Sequence, residues 1–255
     1  IAEERAPWAV VDKIYIDAFK QTTTSTGQFY PDATRAINDR INSGALIVNY
    51  VGHGNETSLA HERIISPEEI RSWRNQTRLP LFITATCEFS RFDDISANPA
   101  TGTIMEKQSS GESILLHPDG GAIALMSTTR LVYSAPNYIL NRNIFETAFN
   151  RDEYGRSMRL GDIIRIAKNM SGSNTNKRNF LLLGDPALRL AWPWNGKVVT
   201  DSINNVPAGE SADTIKALSM ITISGHVEDI SGNLAKDFTG IVSHTVFGKP
   251  SLIKT

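Results

Sequence analysis

Cysteine is nearly absent: the 255 residues contain one, Cys87, so no intrachain disulfide can staple the fold and the redox compartment cannot be read from pairing. Neither sign of charge is in excess, with 26 Lys and Arg against 27 Asp and Glu and a formal net charge of −1. That balance excludes the broad basic face that nucleic acid or an anionic membrane would select. No apolar run approaches the ~20 residues of a membrane-spanning helix. The five histidines form no H-x-x-x-H spacing and no second cysteine joins them, so a zinc signature is missing. Phosphate loops of the G-x-x-x-x-G-K-[ST] or strand–G-x-G-x-x-G kind are missing too, as is an EF-hand loop. The chain opens Ile1-Ala2-Glu3-Glu4, without an initiator Met or a charged-then-apolar leader, and is expected to be an excised piece of a longer protein.

What is present is ordinary globular material, with 40% hydrophobic and 21% charged residues, enough for one or two domains. Up to about residue 190, apolar runs alternate with helical patterns, as in a sheet with crossover helices. Strands are expected at 10–19, 45–51, 79–86, 122–128 and 180–183, and helices from Pro31 to Gly44, from Pro67, at 111–116, at 137–149 and at 160–170. Ser66-Pro67-Glu68-Glu69 reads as a helix start, with a capping Ser, Pro at the first helical position and Glu three residues after the cap. Gly120-Gly121 and Gly184-Asp185-Pro186 read as turns. After Pro193 the pattern changes to short β-prone runs at 197–200, 220–228 and 241–247, the start of a sandwich shorter than the ~100 residues of a full module. The expected division is 1–194 and 195–255.

Two strand ends carry the chemistry. The run at 45–51 ends in Gly52-His53-Gly54, and the run at 79–86 ends in Cys87, 34 residues after His53. That separation suits one strand–helix–strand crossover, which would open both ends on the edge where α/β sheets bind ligands. A free thiol has a pKa of about 8.5, and a neighbouring imidazole can accept its proton and later return it to a leaving amine. Glycines beside the His allow close approach of a carbonyl. The N–H groups of Gly54 and Cys87 could form an oxyanion hole, worth about 3 kcal/mol per donor. Taken singly, each residue has a plainer reading: a lone Cys at a strand end is usually a small buried hydrophobe, and a His between glycines is a turn residue. The pairing gives them weight.

Around them, Glu88, Arg91, Asp93 and Asp94 read either as a solvated loop or as a cleft wall, and Thr129-Arg130 ends the next strand on the same edge. Glu88, Thr129 and Arg130 are therefore candidate substrate contacts. His61, in Ala60-His61-Glu62-Arg63, is a loop contact or an alternative base. His117, His226 and His244 read as structural.

Two stretches, Asn49-Tyr50-Val51-Gly52-His53-Gly54 and the run from Pro80 through Thr84-Ala85-Thr86-Cys87-Glu88-Phe89-Ser90-Arg91-Phe92-Asp93-Asp94, resemble the gingipain family of cysteine peptidases. Within it they are similar to the branch of type IX secretion system sortases. His61-Glu62-Arg63, the 120–125 stretch, Thr129 to Tyr133 and 183–188 match that branch too, so the similarity covers most of residues 9–192. It implies a caspase-like α/β fold, a mostly parallel sheet with flanking helices, followed by part of an immunoglobulin-like β-sandwich. It implies His53 as base and acid, Cys87 as nucleophile, and Gly54 and Cys87 as oxyanion donors. The family's catalytic domain also has a preceding half, expected before Ile1 together with an acidic third member of the site. The implied role is removal of C-terminal sorting domains from secreted cargo at the extracellular face of a bacterial outer membrane. The acyl group would pass to water or to an amine of anionic lipopolysaccharide, with other secretion components as partners. No cofactor or nucleic acid is implied, and the structural calcium of some relatives has no assignable position here. A non-catalytic scaffold that binds cargo and a general extracellular protease remain the alternatives.

Overall fold

In a computed structural model that describes residues 2–192, 196–210, 215–216, 218–229 and 231–242, the apolar runs become the strands of a small mixed sheet. The chain divides into two units, residues 1–152 with 157–191, and residues 153–156 with 192–252.

The first unit starts with a short helix α1 (Ala2–Arg5), a single 3-10 turn (Ile16–Ala18) and a hairpin of β1 (Thr22–Thr24) and β2 (Gly27–Phe29). The strand expected at 10–19 does not form. Val10 and Tyr15 are exposed, Ile16 packs half-buried on the core from the 3-10 turn, and the sheet's first strand comes later. Helix α2 (Pro31–Ser43) begins on its Pro and leads to β3 (Ile47–Val51). Helix α3 (Pro67–Ser72) has the expected capping box, with the Ser66 hydroxyl and the Glu69 carboxylate satisfying each other's end of the first turn. Next come β4 (Leu81–Ala85), a hairpin of β5 (Ile95–Ala97) and β6 (Ile104–Glu106), and α4 (Ser110–Leu115), capped in the same way by Ser109 and Glu112. Strand β7 (Ala124–Thr128), helices α5 (Ser134–Ala148), α6 (Leu160–Met170) and α7 (Asn176–Asn179), and β8 (Phe180–Leu183) complete the unit.

The sheet runs β3-β4-β7-β8, parallel except that β8 is antiparallel to β7. All five residues of β4 and of β7 are buried, as their nearly unbroken apolar text requires of strands covered on both faces. Phe82 and Leu125, partners in register, join Ile41, Ile70, Trp73, Phe89 and Ile114 in one core cluster. Ile83 and Met126, one step on, face the other side, where α5 and α6 pack. Leu160, Ile163, Ile164 and Ala167 form the buried stripe of α6 at helical spacing.

The second unit contains a three-stranded antiparallel sheet, order β10-β9-β11, from β9 (Gly196–Ile203), β10 (Val206–Pro207) and β11 (Ile223–Asp229). A second sheet that would make it a sandwich is not found among the described residues. Most of the run expected at 241–247 lies outside them. His226 sits between Asp201, 2.9 Å from Nδ1, and Glu228, 3.1 Å from Nε2. Only the imidazolium donates through both nitrogens, so hydrogen bonding to Asp201 first, then to Glu228, raises its pKa above 6.5. A raised folded-state pKa contributes stability that is fully present below the unfolded value and is lost as pH climbs through the folded one. His226→Gln should therefore lower the thermal midpoint more at pH 6 than at pH 9. Equal losses at the two pH values would contradict this.

Candidate active site

Register brings the two strand ends together. Strands β3 and β4 pair in parallel from Ile47 with Leu81 to Val51 with Ala85. The Gly52 N–H extends the ladder one step to the Ala85 carbonyl at 3.4 Å. His53 and Cys87 each lie two residues beyond the last pair, on neighbouring strands that run about 4.8 Å apart. His53 is exposed and Cys87 half-buried, so the thiol is not sealed in apolar packing.

The backbone of His53 is held from below. Its carbonyl accepts the Tyr50 hydroxyl at 2.6 Å and the Ala60 N–H at 2.8 Å. Burial pushes the Tyr50 phenol up to about 12, which keeps the donated proton in place across the neutral range. Both flanking glycines are required by close approach. A Cβ on Gly52 would lie 2.6 Å from the Tyr50 hydroxyl oxygen, and one on Gly54 would lie 2.6 Å from Thr86 Oγ1 and 3.1 Å from the Ser58 carbonyl. Gly54 forms an antiparallel bridge with Leu59 whose hydrogen bonds run from Ala60 to His53 and from Asn55 to Ser58. In such a pair the bridging residue's own N–H points outward, which leaves the Gly54 donor facing away from Leu59.

Beyond Cys87 the chain folds back over the end of β7. Glu88 takes a left-handed φ of 52°, its N–H reaches the Arg130 carbonyl at 3.4 Å, and the Ser90 N–H reaches that of Thr128 at 2.9 Å. Thr84, Ser127 and Ser90 join their hydroxyls in a buried chain with spacings of 2.6 and 2.7 Å. The Cys87 thiol donates to the Val132 carbonyl at 3.6 Å. The backbone around Val132 is pinned by α7: Asn176 accepts the Tyr133 N–H at 3.1 Å and donates to its carbonyl at 2.6 Å, while Asn179 donates to the Leu131 carbonyl at 3.0 Å.

The charged residues pair along the rim. Arg91 joins Glu88 at 3.2 Å and Asp94 at 3.6 Å, and Lys107 reaches Glu56 at 2.8 Å and Asp94 at 3.6 Å. Arg130 chelates Asp93 through both guanidinium nitrogens and holds that carboxyl below the usual range. Of the expected substrate contacts, Glu88 is half-buried at the thiol and Arg130 is exposed on the same edge. Thr129 turns inward, 7% exposed, with its N–H and hydroxyl both on the Asn179 carbonyl. His61 stands next to His53, the ring centroids 5.5 Å apart and the planes tilted by 40°. His117 lies in its turn, accepting the Asp119 N–H at 3.0 Å. Sequence reading missed Tyr50, Asn176 and Asn179. Tyr50 stands within the motif around His53, but a Tyr on a strand carries no mark of what its hydroxyl holds. Among the described residues no group of three or more His, Cys, Asp or Glu is placed to hold a metal ion.

Residues 1–191 match peptidase family C25. The chain belongs to that family, the gingipain family of cysteine peptidases. The resemblance read from residues 49–54 and 80–94 is thereby borne out, and so is the α/β architecture; the immunoglobulin-like part is not. Among solved structures, the Arg-specific cysteine proteinase gingipain R superposes with a TM-score of 0.53 at 18% identity, over 66% of this chain and 39% of that one. A second, described only as a protease, gives 0.51 at 17% identity over 78% of this chain and 50% of the other. At these identities the likeness shows the gingipain-family fold alone, and the chain spans between two fifths and half of those proteins. A dimeric latent PorU from Porphyromonas gingivalis aligns at 27% identity over 49% of this chain and 12% of its own, with a TM-score of 0.27 that carries no argument. No curated protein matches. No helix among the described residues is long and apolar enough to cross a membrane.

Proposed function

We propose that this gingipain-family chain forms the thiol-bearing part of a sortase that removes C-terminal sorting domains from secreted proteins through a thioester on Cys87. The observation that supports it is the parallel register that delivers His53 and Cys87 to one edge, with an outward Gly54 N–H beside them. In the first step His53 takes the thiol proton and the sulfur attacks the scissile carbonyl, forming an S–C bond. The oxyanion is received by the N–H groups of Gly54 and Cys87. The C–N bond then breaks, and the imidazolium gives its proton to the departing amine. Water or a second amine attacks the thioester, His53 accepts the proton of the attacking group, and the thiol is restored. The scheme uses side chains and backbone donors only. The sortase specialisation rests on the residue strings around Cys87, Thr129 and Gly184; it places the protein at the extracellular face of an outer membrane, with cargo tails, secretion components and a lipopolysaccharide amine as partners. Glu88 and Arg130, at the rim of the same edge, are the proposed substrate contacts on the approach to the sulfur.

In the full-length parent, mass spectrometry of the processed cargo separates the outcomes. A carboxyl terminus joined in an amide supports transfer, a free acid reduces the activity to hydrolysis, and unaltered processing by a Cys87→Ala parent would end the peptidase reading. Tyr50→Phe is expected to reduce processing about fivefold and stability by about 1 kcal/mol, because one of the two bonds that fix the His53 carbonyl is lost. Steady-state rates and a thermal melt check this; unchanged values for both would show that the Ala60 N–H suffices.

A further inference from the structure

We infer that His61 is a positioning residue for His53, a ring that holds the neighbouring imidazole on the Cys87 side of the edge. The inference rests on the peptidase reading above. A base in such a site must be held in one orientation, and more than one neighbour can do so. Beside the acidic member that the family resemblance implies, the ring of His61 packs on that of His53, at 5.5 Å between centroids and 40° between planes. This separation lies within the range where aromatic rings pack favourably, and no hydrogen bond joins the two imidazoles.

The loop that carries His61 is built to deliver it. Leu59, Ile64 and Ile65 are buried anchors, each 2% exposed or less. The loop closes on itself through Leu59 N–H to the Ile65 carbonyl and Ile64 N–H to the Leu59 carbonyl, both at 3.0 Å. Ala60 and Arg63, on either side of His61-Glu62, adopt left-handed φ values of 61° and 55° without being glycine. Such strain persists only where the surroundings enforce it. The same Ala60 donates its N–H to the His53 carbonyl at 2.8 Å, so the turn that raises His61 is fastened to the residue it faces.

Single-residue variants of the full-length parent test this with its own cargo. His61→Ala should lower kcat about tenfold with KM within twofold, because the imidazole of His53 is left to rotate away from the sulfur. His61→Phe, which keeps a ring but no titrating nitrogen, should restore kcat to within about threefold. The His53 ring-proton resonances should shift in His61→Ala and return towards their original positions in His61→Phe. A thermal melt matching the parent shows that the loop remains folded. Wild-type kcat in His61→Ala, a loss confined to KM, or failure of Phe to rescue would each overturn the inference. His53→Ala is run in parallel: if it too processes cargo at the parent rate, the peptidase reading fails, and if it is inactive while His61→Ala is not, this inference alone fails.

Discussion

His53→Ala and Cys87→Ala are each expected to lower cargo processing by about a thousandfold or more, and the double variant to lower it no further. The prediction follows from the two residues acting as one unit. Without the imidazole the sulfur keeps its proton, and without the sulfur the imidazole has nothing to activate. Both sit at strand ends rather than in the core, with His53 exposed and Cys87 half-buried, so neither change removes packing that the sheet needs. Additive losses in the double variant would mean that the residues serve separate steps.

The largest stability loss is expected at Trp73. Its side chain is fully buried, stacks on Phe82 with centroids 5.8 Å apart, and donates its indole N–H to Asn38 at 2.8 Å. It thus joins α2 to the central strand β4 through one ring. Trp73→Ala should cost about 3–5 kcal/mol, the range for large aromatic truncations in cores. For a unit of this size that amounts to a fall in thermal midpoint of about 6–20 °C. Trp73→Phe keeps most of the packing and loses the hydrogen bond, so a cost nearer 1 kcal/mol is expected. A small, equal effect of both changes would show that the cavity is refilled by neighbours.

The residues around these positions show what the sequence could and could not disclose. The buried strands were legible because apolar runs such as Leu81–Ala85 have one stable place, between two layers of helices. The start of α3 was legible because Ser66, Pro67 and Glu69 are local signals that act within one turn. Trp73 caps α3 just after Ser72, in extended geometry with its N–H on the Ile70 carbonyl, and its ring turns into the core beside Ile70, which only tertiary packing decides. The stretch 10–19 failed for the opposite reason: its alternation looks like a strand, but the chain there forms only a 3-10 turn at Ile16–Ala18, from which Ile16 packs on the core without joining the sheet. At the candidate site, the meeting of His53 and Cys87 on one edge was legible because glycines and strand ends mark them. Tyr50 and Asn176 were not, because their contribution is a hydrogen bond to a backbone atom elsewhere in the chain. Thr129 was placed on the correct edge, yet the direction of its side chain depends on Asn179, 50 residues away.

The most direct test is to stop the reaction in acid while the full-length parent is processing cargo and to weigh the peptide that contains Cys87. A mass increase equal to the cargo's new C-terminal acyl segment, removed by hydroxylamine and absent from the Cys87→Ala protein, is the predicted result. Continued processing with Cys87 unmodified, or with the acyl group on another side chain, would contradict the assignment.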